Sequence, residues 1–311
     1  MDRHVFVVGA YLPNGGTFMA YHLARILHLD FGFAAKVVTV QGETPDNGVF
    51  SYDPIFPTID LESMLESATE HDILIANPSF SPLSLGMRCP CRKIMYVQGF
   101  NTFDVIDPHF DLYVSVSGTV QRFLRSLYGI ETRVIPPFIM PPSHVPSWYE
   151  RPETAVLASL KGHPQRQTFI YDHLVSVLGT EPQDIRIDIL PDARCPHPDL
   201  MERMGRYRYF LSLSPAEGFG LMPLEAMAMG CLVVGFDAFG GRDYFRPGKN
   251  ALTTSHGDIA GIVRHLRQAV ATPDRSAALA QAGQTDARSA LYSQSRFYGD
   301  WKSVLALFHH A

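Results

Sequence analysis

The sequence is short of several things, and each shortage closes off a class of function. It has four cysteines. They fall as Cys89-Pro90-Cys91 and, more distantly, Cys195 two residues before His197, and Cys231. C-x-C and C-x-H are not the ordinary zinc spacings, and a proline stiffens each loop, so reduced thiols are expected. No Asp-x-Asp pair stands in a metal-site setting; Asp104 with Asp107, and Asp184 with Asp188, are too far apart in the chain. No block of basic residues is present and the net charge is -5, which argues against a nucleic-acid partner. No apolar run reaches membrane-spanning length and no signal peptide is visible, so a cytoplasmic protein is expected, with at most peripheral membrane association. The glycine loop near the start is Gly15-Gly16-Thr17 rather than G-x-G-x-x-G, and no acidic residue closes the next strand, so it is not a dinucleotide fingerprint.

What is present is an ordinary globular mix. Hydrophobic residues make up 46% and charged residues 18% of 311, enough to build two cores. Prolines crowd the middle of the chain at 136, 137, 141, 142, 146 and 152, a run that sustains neither a helix nor a central strand. The first half opens with an apolar strand at 4–9, a glycine loop with Thr17 as its expected N-cap, a helix over 18–29 and a strand at 35–40. Further strands are expected at 72–77, 93–98 and 112–117, with a helix over 119–128. In the second half, strands are expected at 154–160 and 185–190, and helices over 168–178, 200–207, 258–271, 276–291 and 297–309.

The most informative stretch is 214–230. Residues 209–214 read as a buried strand, and Gly218 and Gly220 take the backbone through a tight turn. Pro223 sits in the first helical turn, where its missing N–H costs nothing, and Gly230 ends the helix before an apolar strand at 231–235. A strand, a glycine turn and a helix N-terminus make a site for an anion such as a diphosphate. Glu217 and Glu225 flank the turn with seven residues between them. A carboxylate repels phosphate and only accepts hydrogen bonds, so sugar hydroxyls are its natural partners. A diphosphate with hydroxyl-binding carboxylates on either side describes a nucleotide-sugar site.

The string S-P-A-E-G-F-G-L-M-P-L-E-A-M-A-M-G-C-L-V-V, with its E-x7-E pair, resembles the retaining GT-B glycosyltransferases of family 4, the group 1 glycosyl transferases. The resemblance implies an α/β GT-B fold, two Rossmann-like parallel-sheet domains facing each other across a cleft. Residues 1–137 would form the N-terminal domain on the acceptor side, 138–152 a proline-rich linker and 153–294 the nucleotide-sugar-binding domain. A helix at about 295–311 would pack back on the first domain. The implied reaction moves a sugar, with retention, from a nucleoside-diphosphate sugar to an acceptor hydroxyl on a glycan, lipid or small molecule. The leaving diphosphate would assist a front-face displacement, with no separate nucleophile, no cofactor and no metal.

The resemblance also assigns residues. Glu217 would reach the transferred sugar and Glu225 the ribose, with Gly218, Phe219, Gly220 and Leu221 at the diphosphate. Gly15 and Gly16 resemble the family's double-glycine loop. Lys161 and Arg166 would clamp the diphosphate, although the family more often has arginine first and lysine second. Residues 237–244 resemble its second glycine loop, with Asp243 in place of the commoner glutamate. Many members carry a histidine after the strand near Ile94; here that segment reads Gln98-Gly99-Phe100-Asn101, with Gln98 or Asn101 able to hydrogen-bond and His109 and His163 as nearby alternatives. Two other readings stand beside this one: a nucleotide-sugar epimerase on the same fold, and a non-catalytic nucleotide-binding relic.

Overall fold

The computed structural model describes residues 3–40, 48–100, 102–160, 164–179, 184–190 and 195–310, without the side chains of 164–167 and 307–310. The chain divides into two compact units, 1–137 with 294–311, and 138–293.

The first unit is built on seven strands: β1 (His4–Val8), β2 (Ala34–Thr39), β3 (Thr58–Asp60), β4 (Ile73–Ala76), β5 (Arg92–Val97), β6 (Leu112–Ser115) and β7 (Arg133–Val134). They pair in parallel in the order β3-β2-β1-β4-β5-β6-β7. The central strands are apolar without alternation because helices cover both faces, and Val5, Phe6, Leu74 and Ile94 are fully buried. Helices α1 (Gly15–Phe31), α2 (Leu61–Ser67), α3 (Leu85–Arg88) and α4 (Gly118–Tyr128) make the crossovers. The strand order reverses between β1 and β4, and α1 starts at that point.

One expected boundary moves. The N-cap of α1 is Asn14, not Thr17: its side-chain oxygen accepts from Thr17 N at 2.9 Å. Asparagine is as strong a cap as threonine and lies earlier, so Gly15 and Gly16 become the first helical turn. Ser117 caps α4, its hydroxyl accepting from Val120 N at 3.1 Å.

The second unit carries β8 (Ala155–Ser159), α5 (Pro164–Leu178), β9 (Arg186–Ile189), α6 (His197–Gly205), β10 (Tyr209–Ser212), α7 (Leu221–Ala228), β11 (Leu232–Phe236), β12 (Leu252–Thr254), α8 (Ile259–Ala271) and α9 (Pro273–Ala287). Its sheet is parallel in the order β12-β11-β10-β8-β9. Tyr209, Leu211, Val234 and Leu266 pack at its core. The order turns back between β8 and β10, so the crevice beyond their carboxyl ends is where such a sheet binds ligands. The proline-rich stretch groups with this unit: Phe138 and Ile139 are buried, and the buried Arg151 ties Pro146 O and Tyr207 O at 2.6 and 2.9 Å.

Among the described residues no group of three or more His, Cys, Asp or Glu is placed to hold a metal ion. None of their helices is long and apolar enough to cross a membrane.

The last helix, α10 (Gln294–His310), belongs to the first unit. Trp301 is buried edge-on against Tyr96, Lys302 pairs with Asp30 at 2.9 Å, and Tyr298 OH lies 2.7 Å from His22 Nδ1. Arg25 Nη1 donates to the same hydroxyl at 3.1 Å, so Tyr298 donates onward to a neutral His22. Burial, reinforced by the Arg25 charge, pulls the His22 pKa down to about 3. A histidine held neutral contributes stability that is full above its unfolded pKa of about 6.5 and is lost as pH falls through the folded value. Urea unfolding from pH 7 to pH 4 should therefore lose stability by up to about 1.4 kcal/mol per pH unit from this group. In His22→Phe the decline should be shallower; equal slopes in both proteins would remove His22 as its source.

Candidate active site

The site grows out of the end of β10. Ser212 is the last strand residue, and it lies in register with Ser159 at the end of β8 and with Gly235 in β11. The chain then runs through Ser214-Pro215-Ala216-Glu217-Gly218-Phe219 into α7. Gly220 is the N-cap residue, at φ 83° and ψ 69°, a left-handed conformation that glycine takes without penalty. No side chain caps this end of the helix. The N-terminal backbone donors of α7 and its positive dipole end therefore remain available to an anion. Because α7 begins at Leu221, Pro223 falls inside the first turn, where it removes no helical hydrogen bond.

A second loop holds the first in shape. After β11 the chain passes through Ala238 and Phe239, at φ 49° and 63°, into a 3-10 turn at Gly240–Asp243. Non-glycine residues in that region cost about 1–3 kcal/mol each, and such strain concentrates at binding sites. Asp237 offsets part of it, accepting from Phe239 N at 2.9 Å and pairing with Arg242 Nε at 2.7 Å. Glu217 N donates to Ala238 O at 2.9 Å, and Gly240 N donates to Glu217 O at 3.1 Å. Phe219 is buried against Tyr244 and Tyr292, with centroids 5.4 and 5.9 Å away. The Tyr244 hydroxyl donates to Gly220 O at 2.6 Å, and burial pushes its pKa well up, so it stays a donor.

The two glutamates lie in different surroundings. Glu217 is half-buried, and its Oε1 accepts from Ser214 Oγ at 3.0 Å. Glu225 sits on α7 and is 7% exposed. Its Oε1 lies 2.7 Å from His197 Nε2, at the start of α6. Burial alone would lower the His197 pKa, but the hydrogen bond and charge of Glu225 outweigh it and leave the pKa raised. In the sequence His197 stands out only by its spacing from Cys195, and its separation of 28 residues from Glu225 carries no signal of their contact.

Of the residues expected at the site, Glu217, Gly218, Phe219, Gly220, Leu221 and Glu225 come together at this turn. Lys161 and His163 lie outside the described residues. Arg166 is in the first turns of α5, and its side chain is not described. Gly15 and Gly16 are in the first unit, as the first turn of α1. There Gln98 Nε2 donates to Gly16 O at 2.7 Å, so Gln98 pins the glycine loop to the end of β5. Asn101 lies outside the described residues, and His109 is exposed.

Residues 193–286, which include the whole turn and both glutamates, match the family model described as glycosyl transferases group 1. A search of curated proteins returns no match. Among solved structures, the sucrose-phosphate synthase of Thermosynechococcus elongatus matches with a TM-score of 0.71 at 13% identity, covering 100% of both chains. HepE of Anabaena, solved with UDP and glucose, matches with a TM-score of 0.72 at 14% identity, covering 98% of this chain and 100% of its own. A glycosyltransferase of Rickettsia africae matches with a TM-score of 0.67 at 14% identity, over 98% and 99%. The fold is thus GT-B: two parallel-sheet α/β domains.

The interlocked loops leave no room at Gly240. A Cβ there would stand 2.6 Å from both Glu217 O and Phe219 N, and 2.7 Å from Gly218 C. Overpacking against backbone costs about 1–3 kcal/mol. Gly240→Ala should lower urea-unfolding stability by about that much, and a variant as stable as wild type would show that the loops are not locked together.

Proposed function

We propose that this protein is a retaining glycosyltransferase. It moves a sugar, of hexosyl type, from a nucleoside-diphosphate donor to an acceptor hydroxyl. The observation that carries this reading is the α7 N-terminus, uncapped by any side chain, with a buried carboxylate on its first turns and a second carboxylate across the glycine turn. The group 1 match over 193–286 supports it. HepE was solved with UDP and with UDP-glucose, which makes uridine the first nucleoside to test.

In this reading the diphosphate sits on the backbone of Gly218, Phe219, Gly220 and Leu221, where the helix dipole favours negative charge. Charge that develops as the diphosphate leaves is met by these fixed dipoles and by Lys161 and Arg166. With those cations in place the reaction needs no metal and no cofactor. Glu225 accepts from the ribose, and Glu217 accepts from a hydroxyl of the transferred sugar. On the first unit, Gly15 and Gly16 keep the donor-side role that the resemblance implies. No side chain is assigned as a nucleophile; the acceptor hydroxyl attacks on the face from which the diphosphate departs and passes its proton to the departing diphosphate oxygen.

The two glutamates separate cleanly by experiment. A hydrogen bond to a charged group is worth about 1.5–3 kcal/mol, or roughly ten- to a hundredfold in a binding or rate constant. Glu225→Gln should weaken bare UDP and donor by a similar factor. Glu217→Gln should leave UDP affinity near wild type and lower the transfer rate, because its partner is missing from the bare nucleotide. Calorimetric titration with UDP and a donor-turnover assay read both. The opposite pattern would exchange the roles, and no change in either protein would end the glycosyltransferase reading.

The cationic clamp has its own test. Lys161→Ala and Arg166→Ala should each weaken UDP binding while leaving uridine binding unchanged, since only the diphosphate carries the charge. Wild-type UDP affinity in both variants would place the clamp elsewhere.

A further inference from the structure

His197 has no part in the reaction outlined above, yet its side chain is held against Glu225, the carboxylate assigned to the ribose. It opens α6, between Pro196 and Pro198, while Glu225 lies on α7. The two side chains are 11% and 9% exposed, and the contact is 2.7 Å. An ionised carboxylate only accepts, so His197 Nε2–H donates to Glu225 Oε1. Glu225 Oε2 has no hydrogen-bond partner among the described residues.

A free glutamate on a helix turns about three torsions and presents either oxygen, or both, in many directions. Fixing Oε1 to a second helix stops that rotation and leaves Oε2 as the single acceptor with a defined direction. An acceptor fixed in this way gains a hydrogen bond from a ligand that places a hydroxyl along that direction. It is left desolvated by a ligand that lacks the hydroxyl, and a buried acceptor without its donor is costly. Discrimination by a missing hydroxyl is stronger than discrimination by shape for this reason.

We propose that His197 is a positioning residue that makes Glu225 selective for ribose over deoxyribose in the nucleotide. This rests on the nucleoside-diphosphate reading of the site. His197 does not touch the sugar; it acts by holding Glu225. The consequence is that at least one of the corresponding 2′-deoxy and 3′-deoxy nucleotides binds less tightly than the ribonucleotide. Loss of the His197 donor frees Glu225 to rotate and to take water, so the ribonucleotide loses its advantage while the deoxynucleotide, which never had the bond, changes little.

The test is calorimetric titration of the full-length protein with UDP, GDP and ADP, and with the 2′-deoxy and 3′-deoxy forms of whichever binds. Wild type should prefer the ribose form by about tenfold or more over at least one deoxy form. In His197→Ala that ratio should fall toward one, mostly through weaker ribonucleotide binding. His197→Gln, whose amide N–H can reach the carboxylate, should restore it. His197→Leu keeps the bulk without the donor and should behave as Ala, which covers the case in which Ala fails to fold. If Ala or Leu keeps the wild-type ratio, or weakens both nucleotides by the same factor, His197 is only a packing residue and the proposal is overturned. If wild type binds none of the three diphosphates, the nucleotide reading itself falls, a result distinct from an unchanged ratio.

Discussion

The glycine turn before α7 depends on an exchange of backbone hydrogen bonds between two loops. Glu217 N reaches Ala238 O and Gly240 N reaches Glu217 O, tying the turn after β10 to the turn after β11. Everything at the site follows from that lock. It sets the approach into α7, so the helix presents its N-terminal donors instead of closing them with a side-chain cap. It places Glu217 on one side of the turn while Glu225, fixed in the helix, lies on the other. Two strained residues, Ala238 and Phe239, are held in their conformation by the Asp237 carboxylate and by this exchange. The arrangement needs glycine at 240, since any side chain would strike the backbone of the partner loop.

The charge logic of the site is equally local. The α7 N-terminus favours an anion, but the two carboxylates beside it would repel one placed against them. The conflict resolves if phosphate takes the backbone and hydroxyls take the carboxylates, which is the division a nucleotide sugar provides. Glu225 is buried, and the pairing with His197 compensates its removal from water. The epimerase and relic readings share this division, because both also bind a nucleotide. What sets transfer apart is the fate of the sugar.

The fold was legible where residues carry strong local signals. The apolar strands at β1, β4, β5, β10 and β11 and the glycine turn of 218–220 were read close to their places, because burial on both faces leaves unbroken apolar runs. Short edge strands were missed: β3 (Thr58–Asp60) and β12 (Leu252–Thr254) are three residues each and carry no pattern of their own. The α1 cap was misplaced because asparagine and threonine both cap well and only geometry decides. At the site, Glu217 and Glu225 stood out through spacing within one segment. His197 and Gln98 did not reveal their contacts, since each acts on a residue distant in sequence, Glu225 and Gly16, through tertiary packing alone.

Transfer requires that the sugar leave its nucleotide for another molecule. The most direct measurement is incubation with an isotopically labelled UDP-sugar panel and a mixture of glycan and lipid acceptors, followed by NMR analysis of the labelled sugar. Label is expected on an acceptor, joined through the same anomeric configuration as in the donor, with UDP released in equal amount. Free epimer with no acceptor product, transfer with inverted configuration, or unaltered donor under conditions where the nucleotide binds would contradict it.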